Sequence, residues 1–168
     1  MRVFRHYNDL PPSAQGAVVT LGNFDGVHLG HQAVLARAAE IARDQGRALA
    51  VMTFEPHTRA FFKPDLAPFR LTPLRAKLHA LETFGVDQVV VLAFDEALSQ
   101  VTAEDFARVV LKDGMRIAHA VAGADFRYGH KHAGTMHSLV ASGNALGFGV
   151  TPVPAAAAAD GTVYSATA

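Results

Sequence analysis

Cysteine is absent from the 168-residue chain, so disulfides, thiolate chemistry and cysteine-ligated metal sites play no part in it, as suits a cytoplasmic protein. Charge of one sign is not in excess either: 15 Lys and Arg balance 15 Asp and Glu, for a formal net charge of +0. Such a chain projects no field to recruit nucleic acid or an anionic membrane, and any attraction for phosphate must be local. No apolar run reaches membrane-spanning length, and the start Met1-Arg2-Val3-Phe4-Arg5-His6 lacks the apolar segment of a signal peptide. These absences leave a soluble domain. With 50% hydrophobic residues, a chain of this size buries roughly two thirds of its unfolded surface in one core.

Apolar strand-like runs alternate with helix-like ones. Strands are predicted at Val18–Leu21, Ala48–Phe54, Gln88–Ala93, Ala118–Ala122 and Gly149–Val153, and helices from about Gly30, Pro73, Ala103 and Thr135. Thr102, ahead of Glu104 and Asp105, reads as an N-cap. Strands alternating with helices imply an α/β fold, a Rossmann-like doubly wound parallel sheet of about five strands. The stretch from Glu55 to Thr72, with Pro56, Pro64 and Pro68, is too long for a simple connection and reads as a flap inserted after the second strand. Sheets of this kind bind ligands beyond the carboxyl ends of their strands, and the chemically suggestive residues all fall on that rim.

The first strand runs into Gly22-Asn23-Phe24-Asp25-Gly26-Val27-His28-Leu29-Gly30-His31. At a strand-to-helix turn the first helical N–H groups lack partners and the helix dipole is positive, so an anion is favoured before any side chain is counted. Gly22 and Gly26 can take positive φ and bend the loop, and Gly30 lets a nucleotide approach the backbone. His28 and His31, three apart, project to one side, where each imidazole can donate to a phosphate oxygen. A zinc site is disfavoured by the lack of cysteine, the spacing and the lack of a nearby third ligand, so no metal ligands are assigned.

Two further clusters carry both a bland and a functional reading. Phe54, Phe61, Phe62 and Phe69 either pin the flap to the core or stack on a planar ring such as a flavin. In Asp125-Phe126-Arg127-Tyr128-Gly129-His130-Lys131-His132, three potential cations follow an aromatic pair, either as a solvated basic loop or as a phosphate anchor.

His28-Leu29-Gly30-His31 resembles the HxGH signature of the nucleotidyltransferase superfamily, and the string from Gly22 to His31 resembles one branch, the bacterial bifunctional riboflavin kinase/FAD synthetases. Thr53-Phe54-Glu55-Pro56-His57 with Phe61-Phe62 resembles that branch's flavin-side loop. Gly123-Ala124-Asp125-Phe126-Arg127-Tyr128-Gly129, followed by Gly134, resembles its second substrate loop, and Val163-Tyr164-Ser165-Ala166-Thr167 resembles the start of its Ser-Ser-Thr-x-x-Arg signature. The resemblance spans residues 1–168 and concerns the FMN adenylyltransferase domain alone. It implies a chain truncated within that signature, whose Arg would fall one position past Ala168, without the riboflavin kinase domain to which this domain is normally fused.

The implied reaction is adenylyl transfer from ATP to FMN, giving FAD and pyrophosphate. By resemblance, His28 and His31 are catalytic, stabilising charge on the triphosphate. Gly22, Asn23, Phe24, Asp25, Gly30 and Ser165 bind ATP, the amides of Asn23, Phe24 and Asp25 holding adenosine and phosphates. Phe54, His57, Phe61, Phe62, Asp125, Phe126, Arg127 and Tyr128 bind the flavin. Mg²⁺ accompanies ATP with few protein ligands of its own. In the family an Arg commonly stands where His132 stands here, and an imidazole, unlike a guanidinium, titrates near neutrality. Two alternatives stay open: another small-molecule nucleotidyltransferase, and an inactive nucleotide- or flavin-binding fragment.

Overall fold

A computed structural model of the chain describes residues 1–8, 10–22, 24, 29–55, 74–154, 156–157 and 163–164, with the side chains of 29–31, 156–157 and 163–164 outside the description. The strands are β1 (Arg2–Phe4), β2 (Val18–Leu21), β3 (Leu49–Glu55), β4 (Gln88–Ala93), β5 (His119–Gly123) and β6 (Gly149–Val153). They form one sheet in the order β1-β4-β3-β2-β5-β6, every pairing parallel. The strand order reverses direction between β2 and β5, which places the topological switch point, and the crevice such sheets use for ligands, at the carboxyl ends of those two strands.

The sheet is covered on both faces, as the unbroken apolar runs of its central strands require. On one face Val18, Val51, Val89, Val91 and Val121 pack under α1 (Leu29–Gln45) and α2 (Leu74–Thr83), through Leu35, Ala38 and Leu81. On the other, Val19, Ala50, Met52, Val90 and Ala120 meet Phe106, Val110, Leu111 and Leu139. These last come from α4 (Ala103–Asp105), which continues as a π-helix through Phe106–Gly114, and from α5 (Met136–Leu146). A short α3 (Glu96–Ser99) precedes them, capped by Asp95, whose carboxylate accepts from the Leu98 amide at 2.9 Å. Thr102 caps α4, accepting from the Asp105 amide at 3.1 Å. Thr135 and Ser138 form a reciprocal capping box at the start of α5. The π-helix closes with the Met115 amide donating to the Val110 carbonyl at 2.9 Å.

Two features go beyond the sequence reading. The sheet has a sixth strand: β1 pairs with β4, Val3 opposite Val89. It is an edge strand of three mostly exposed residues, too short to show a period. Arg2 anchors it through Ser13 Oγ at 2.9 Å. Past β6, a separate two-stranded pair forms: β7 (Ala156–Ala157) is antiparallel to β8 (Val163–Tyr164). The flap assigned to 56–73 lies outside the described residues. Among the described residues no helix is long and apolar enough to cross a membrane.

Candidate active site

The carboxyl rim begins where β2 ends. The Gly22 amide still donates to Met52 O at 3.2 Å, so Gly22 prolongs the pairing with β3. Its φ is not in the left-handed region, which corrects the bending role assigned to it. The left-handed residue is Phe24, at φ 53°. What Gly22 supplies is space, since a Cβ there would lie 3.1 Å from Phe24 Cε2. Phe24 is 1% exposed and belongs to the core beneath α1. Its ring is therefore part of the core and not of a binding surface. A non-glycine residue held at positive φ beside a helix start is strain of the kind that clusters at ligand clamps. Gly30 lies in the first turn of α1, and so does the backbone of His31. Asn23, Asp25, Gly26, His28, His57, Phe61, Phe62, Phe69 and Ser165, and the His31 side chain, lie outside what is described.

On the opposite face of the sheet, a cleft opens at the ends of β3, β4 and β5. Phe54 from β3 and Phe94 after β4 meet edge to face, centroids 5.8 Å apart and planes at 87°. Phe126 and Tyr128, after β5, lie stacked at 6.1 Å and 14°. Phe106 closes the floor against Tyr128 at 5.4 Å. Leu98 and Gly129 complete the apolar wall, and Arg127 and His132 bring the basic groups. An aromatic slot with cations along one side suits a planar ring bearing a phosphate.

Tyr128 is more wall than platform. It is 4% exposed, its hydroxyl lies 2.9 Å from Ser138 Oγ, and burial raises its pKa against the opposing pull of that hydrogen bond. Its ring fits only because Gly134 has no side chain, a Cβ there lying 2.6 Å from the ring. Asp125 is exposed on the preceding turn and does not line the cleft. The basic run divides by role. The His130 amide donates to Val101 O at 2.7 Å and its Nδ1 sits 3.1 Å from Ser99 O, which fastens the turn to the connection between α3 and α4. Lys131 is exposed, and His132 faces the cleft. Both are left-handed, at φ 56° and φ 54°.

Of the described candidates, then, Phe54, Phe126, Arg127 and Tyr128 come together, Gly22, Phe24 and Gly30 lie around the first turn, and Asp125 stands aside. Sequence reasoning missed Phe94, Leu98 and Phe106 as cleft residues. Phe94 directly follows the strand predicted at Gln88–Ala93, and so its place on the rim could have been found. Phe106, in the first turn after the Thr102 cap, offered no signal beyond ordinary core spacing.

An apolar cleft and a glycine-led strand-to-helix turn, on opposite faces but at neighbouring strand ends around the switch point, define a doubly wound α/β domain of the nucleotide-binding class. The particular family follows from comparison: the sequence pattern of the FAD synthetase family matches residues 10–167, and the chain belongs to that family. It is 41% identical over 150 residues to the bifunctional riboflavin kinase/FMN adenylyltransferase of Pseudomonas fluorescens, covering 89% of this chain and 48% of the relative. The proteins of the same name from Escherichia coli K12 and Bacillus subtilis share 39% over 152 residues and 41% over 124 residues, covering 90% and 73% of this chain and 49% and 39% of theirs. The chain thus spans about half the length, or less, of these relatives. Among solved structures, one titled a macrolide-efflux protein from Streptococcus pneumoniae superposes with a TM-score of 0.77 at 27% identity, over 99% of this chain and 54% of that one.

Proposed function

We propose that this chain is an FMN adenylyltransferase domain, transferring the adenylyl group of Mg-ATP to FMN with release of pyrophosphate. The observation that supports the reading is an aromatic cleft with basic groups at the ends of β3, β4 and β5, on the same carboxyl rim of the sheet at which β2 leads into α1. An oxygen of the FMN phosphate forms a bond to the α-phosphorus of ATP as the bond from that phosphorus to the β-phosphate bridging oxygen breaks. FMN retains its isoalloxazine oxidation state throughout. The phosphate monoester is mostly dianionic at neutral pH, with a second pKa near 6, so no strong general base is required. The protein's part is positioning and charge neutralisation.

In this reading the amides of Asn23, Phe24 and Asp25 and the first turn of α1 at Gly30 hold the nucleotide, with Ser165 nearby. His28 and His31 offset charge as the α-phosphorus becomes five-coordinate. Phe54 and Phe126 sandwich or flank the isoalloxazine, with His57, Phe61 and Phe62 from the flap, and Arg127 and His132 attract the FMN phosphate. Magnesium bound with ATP would supply charge neutralisation for the pyrophosphate leaving group. Like its relatives, the domain works in fusion with a riboflavin kinase domain, in the cytoplasm.

The test is incubation of the purified chain with Mg-ATP and FMN, with FAD resolved by chromatography. FAD that forms with the wild-type chain and vanishes with His28→Ala supports the reading. FMN binding without turnover would favour a binding fragment, and failure to bind any flavin would favour a different nucleotidyltransferase substrate.

A further inference from the structure

The buried stripe of α2 reads Leu74, Lys77, Leu78, Leu81, the i, i+3, i+4, i+7 spacing of a core-facing helix. One of its four positions is a lysine. Lys77 is 2% exposed, in a place where an apolar side chain would be the cheap choice and an ammonium is tolerated only with specific polar partners. Two of those partners are consecutive same-face residues of β3. Lys77 Nζ donates to Thr53 Oγ1 at 3.3 Å and lies 3.9 Å from Glu55 Oε2. Between them in sequence stands Phe54, which points through the pleat to the opposite face, into the aromatic cleft against Phe94.

The amine itself cannot touch a ligand in that cleft: the sheet lies between them. Its effect is on the strand. Holding residues 53 and 55 from one side fixes the pleat at residue 54, and in a strand the side-chain direction and the register are the same quantity. β3 is also at its last described residues here, where the ladder to β4 ends at Glu55 opposite Ala93 and a strand frays most easily.

We propose that Lys77 is a positioning residue for the flavin: by gripping Thr53 and Glu55 on one face of β3 it holds Phe54 in its stacking orientation on the other. This rests on the reading of the cleft as the flavin site. It makes Lys77 matter for FMN and not for ATP, although it touches neither.

The test uses the whole chain and the variants Lys77→Met, Phe54→Ala and their combination. FMN affinity is read from quenching of flavin fluorescence, and KM and kcat from FAD formation. Lys77→Met is expected to weaken FMN binding and raise its KM about tenfold while the KM for ATP stays within about twofold, and the double variant is expected to bind FMN no more weakly than Phe54→Ala alone, because residues acting through one another are not additive. Additive losses, or equal losses of FMN and ATP, would overturn the proposal and leave Lys77 as a packing residue. If Lys77→Met does not fold, Glu55→Gln, at a partly exposed side chain, carries the same cycle with a smaller effect. Wild-type chain that binds no FMN would overturn the flavin reading itself, whereas wild-type binding that Lys77→Met leaves unchanged would overturn only this inference.

Discussion

Gly129→Ala is the substitution that the geometry of the cleft penalises most clearly. Gly129 sits at φ 80° and ψ 174°, a region that side-chain-bearing residues avoid at a cost of about 1–3 kcal/mol. A Cβ there would also stand 2.7 Å from both the Cα and the N of Ala103. Those are backbone atoms of a capped helix start and cannot swing aside, so relief requires moving the turn or the helix, at about 1–3 kcal/mol more. The sum is roughly 2–6 kcal/mol, a large share of the roughly 5–15 kcal/mol that stabilises a typical domain. Gly85 provides the control. It too is left-handed, at φ 86°, but nothing lies within 4 Å of its Cβ position, so Gly85→Ala carries only the conformational cost of about 1–2 kcal/mol. In urea titrations with a slope of about 2 kcal/mol per M, the Gly85→Ala midpoint falls by roughly 0.5–1 M and the Gly129→Ala midpoint by roughly 1–3 M. Gly129→Ala should also weaken FMN binding, since the turn it begins carries His132 to the cleft. Equal midpoint shifts for the two variants would refute the steric part of the reasoning.

Other substitutions probe the core and the cleft wall. Among the described residues Thr20 Oγ1 is buried with no hydrogen-bond partner, so the near-isosteric Thr20→Val, which removes its desolvation cost, should raise stability by about 1 kcal/mol; a lowered thermal midpoint would contradict this. Tyr128→Phe deletes the contact to Ser138 Oγ at 2.9 Å. Ser138 keeps its bonds within the α5 cap, so the cost should be about 0.5–1.5 kcal/mol by urea unfolding, and a loss several times larger would mean the hydroxyl does more than brace the wall. His119, at 2.7 Å from Thr151 Oγ1, has its pKa lowered from 6.5 by burial first and by Arg37 second. The unfolded chain therefore binds that proton first. Its contribution is fully present above about pH 6.5 and is lost as pH falls to its folded-state pKa. Replacement by Gln should flatten the thermal midpoint between about pH 7 and about pH 5 relative to wild type, and parallel pH profiles would disprove the linkage.

Much of this architecture is legible in the residues because the central strands are buried on both faces. Val18–Leu21, Gln88–Ala93 and Gly149–Val153 have the expected bounds, and β3 and β5 lie one residue later than Ala48–Phe54 and Ala118–Ala122. Thr102 and Thr135 announce their helices through side chains that cap them. β1 was hidden by its length, and the π-helical hydrogen bonding of Phe106–Gly114 leaves no mark in an apolar spacing that an α-helix would share. At the site, the rim location of Phe54 and Phe126 followed from strand ends. The role of Gly22 did not, because a glycine that avoids a clash looks the same in sequence as one that bends a loop. Lys77 was likewise invisible until the helix face that buries it was known, since a lone lysine in an amphipathic pattern ordinarily faces water.

The claim on which the account depends is that the cleft between Phe54 and Phe126 holds the flavin ring. Intermolecular nuclear Overhauser effects between FMN and the chain, with phenylalanine rings selectively labelled, address it without reference to turnover. The account predicts contacts from the isoalloxazine methyl protons to the rings of Phe54 and Phe126, lost on Phe126→Ala. Contacts confined to other phenylalanines, or bound FMN whose methyl protons touch neither ring, would contradict it.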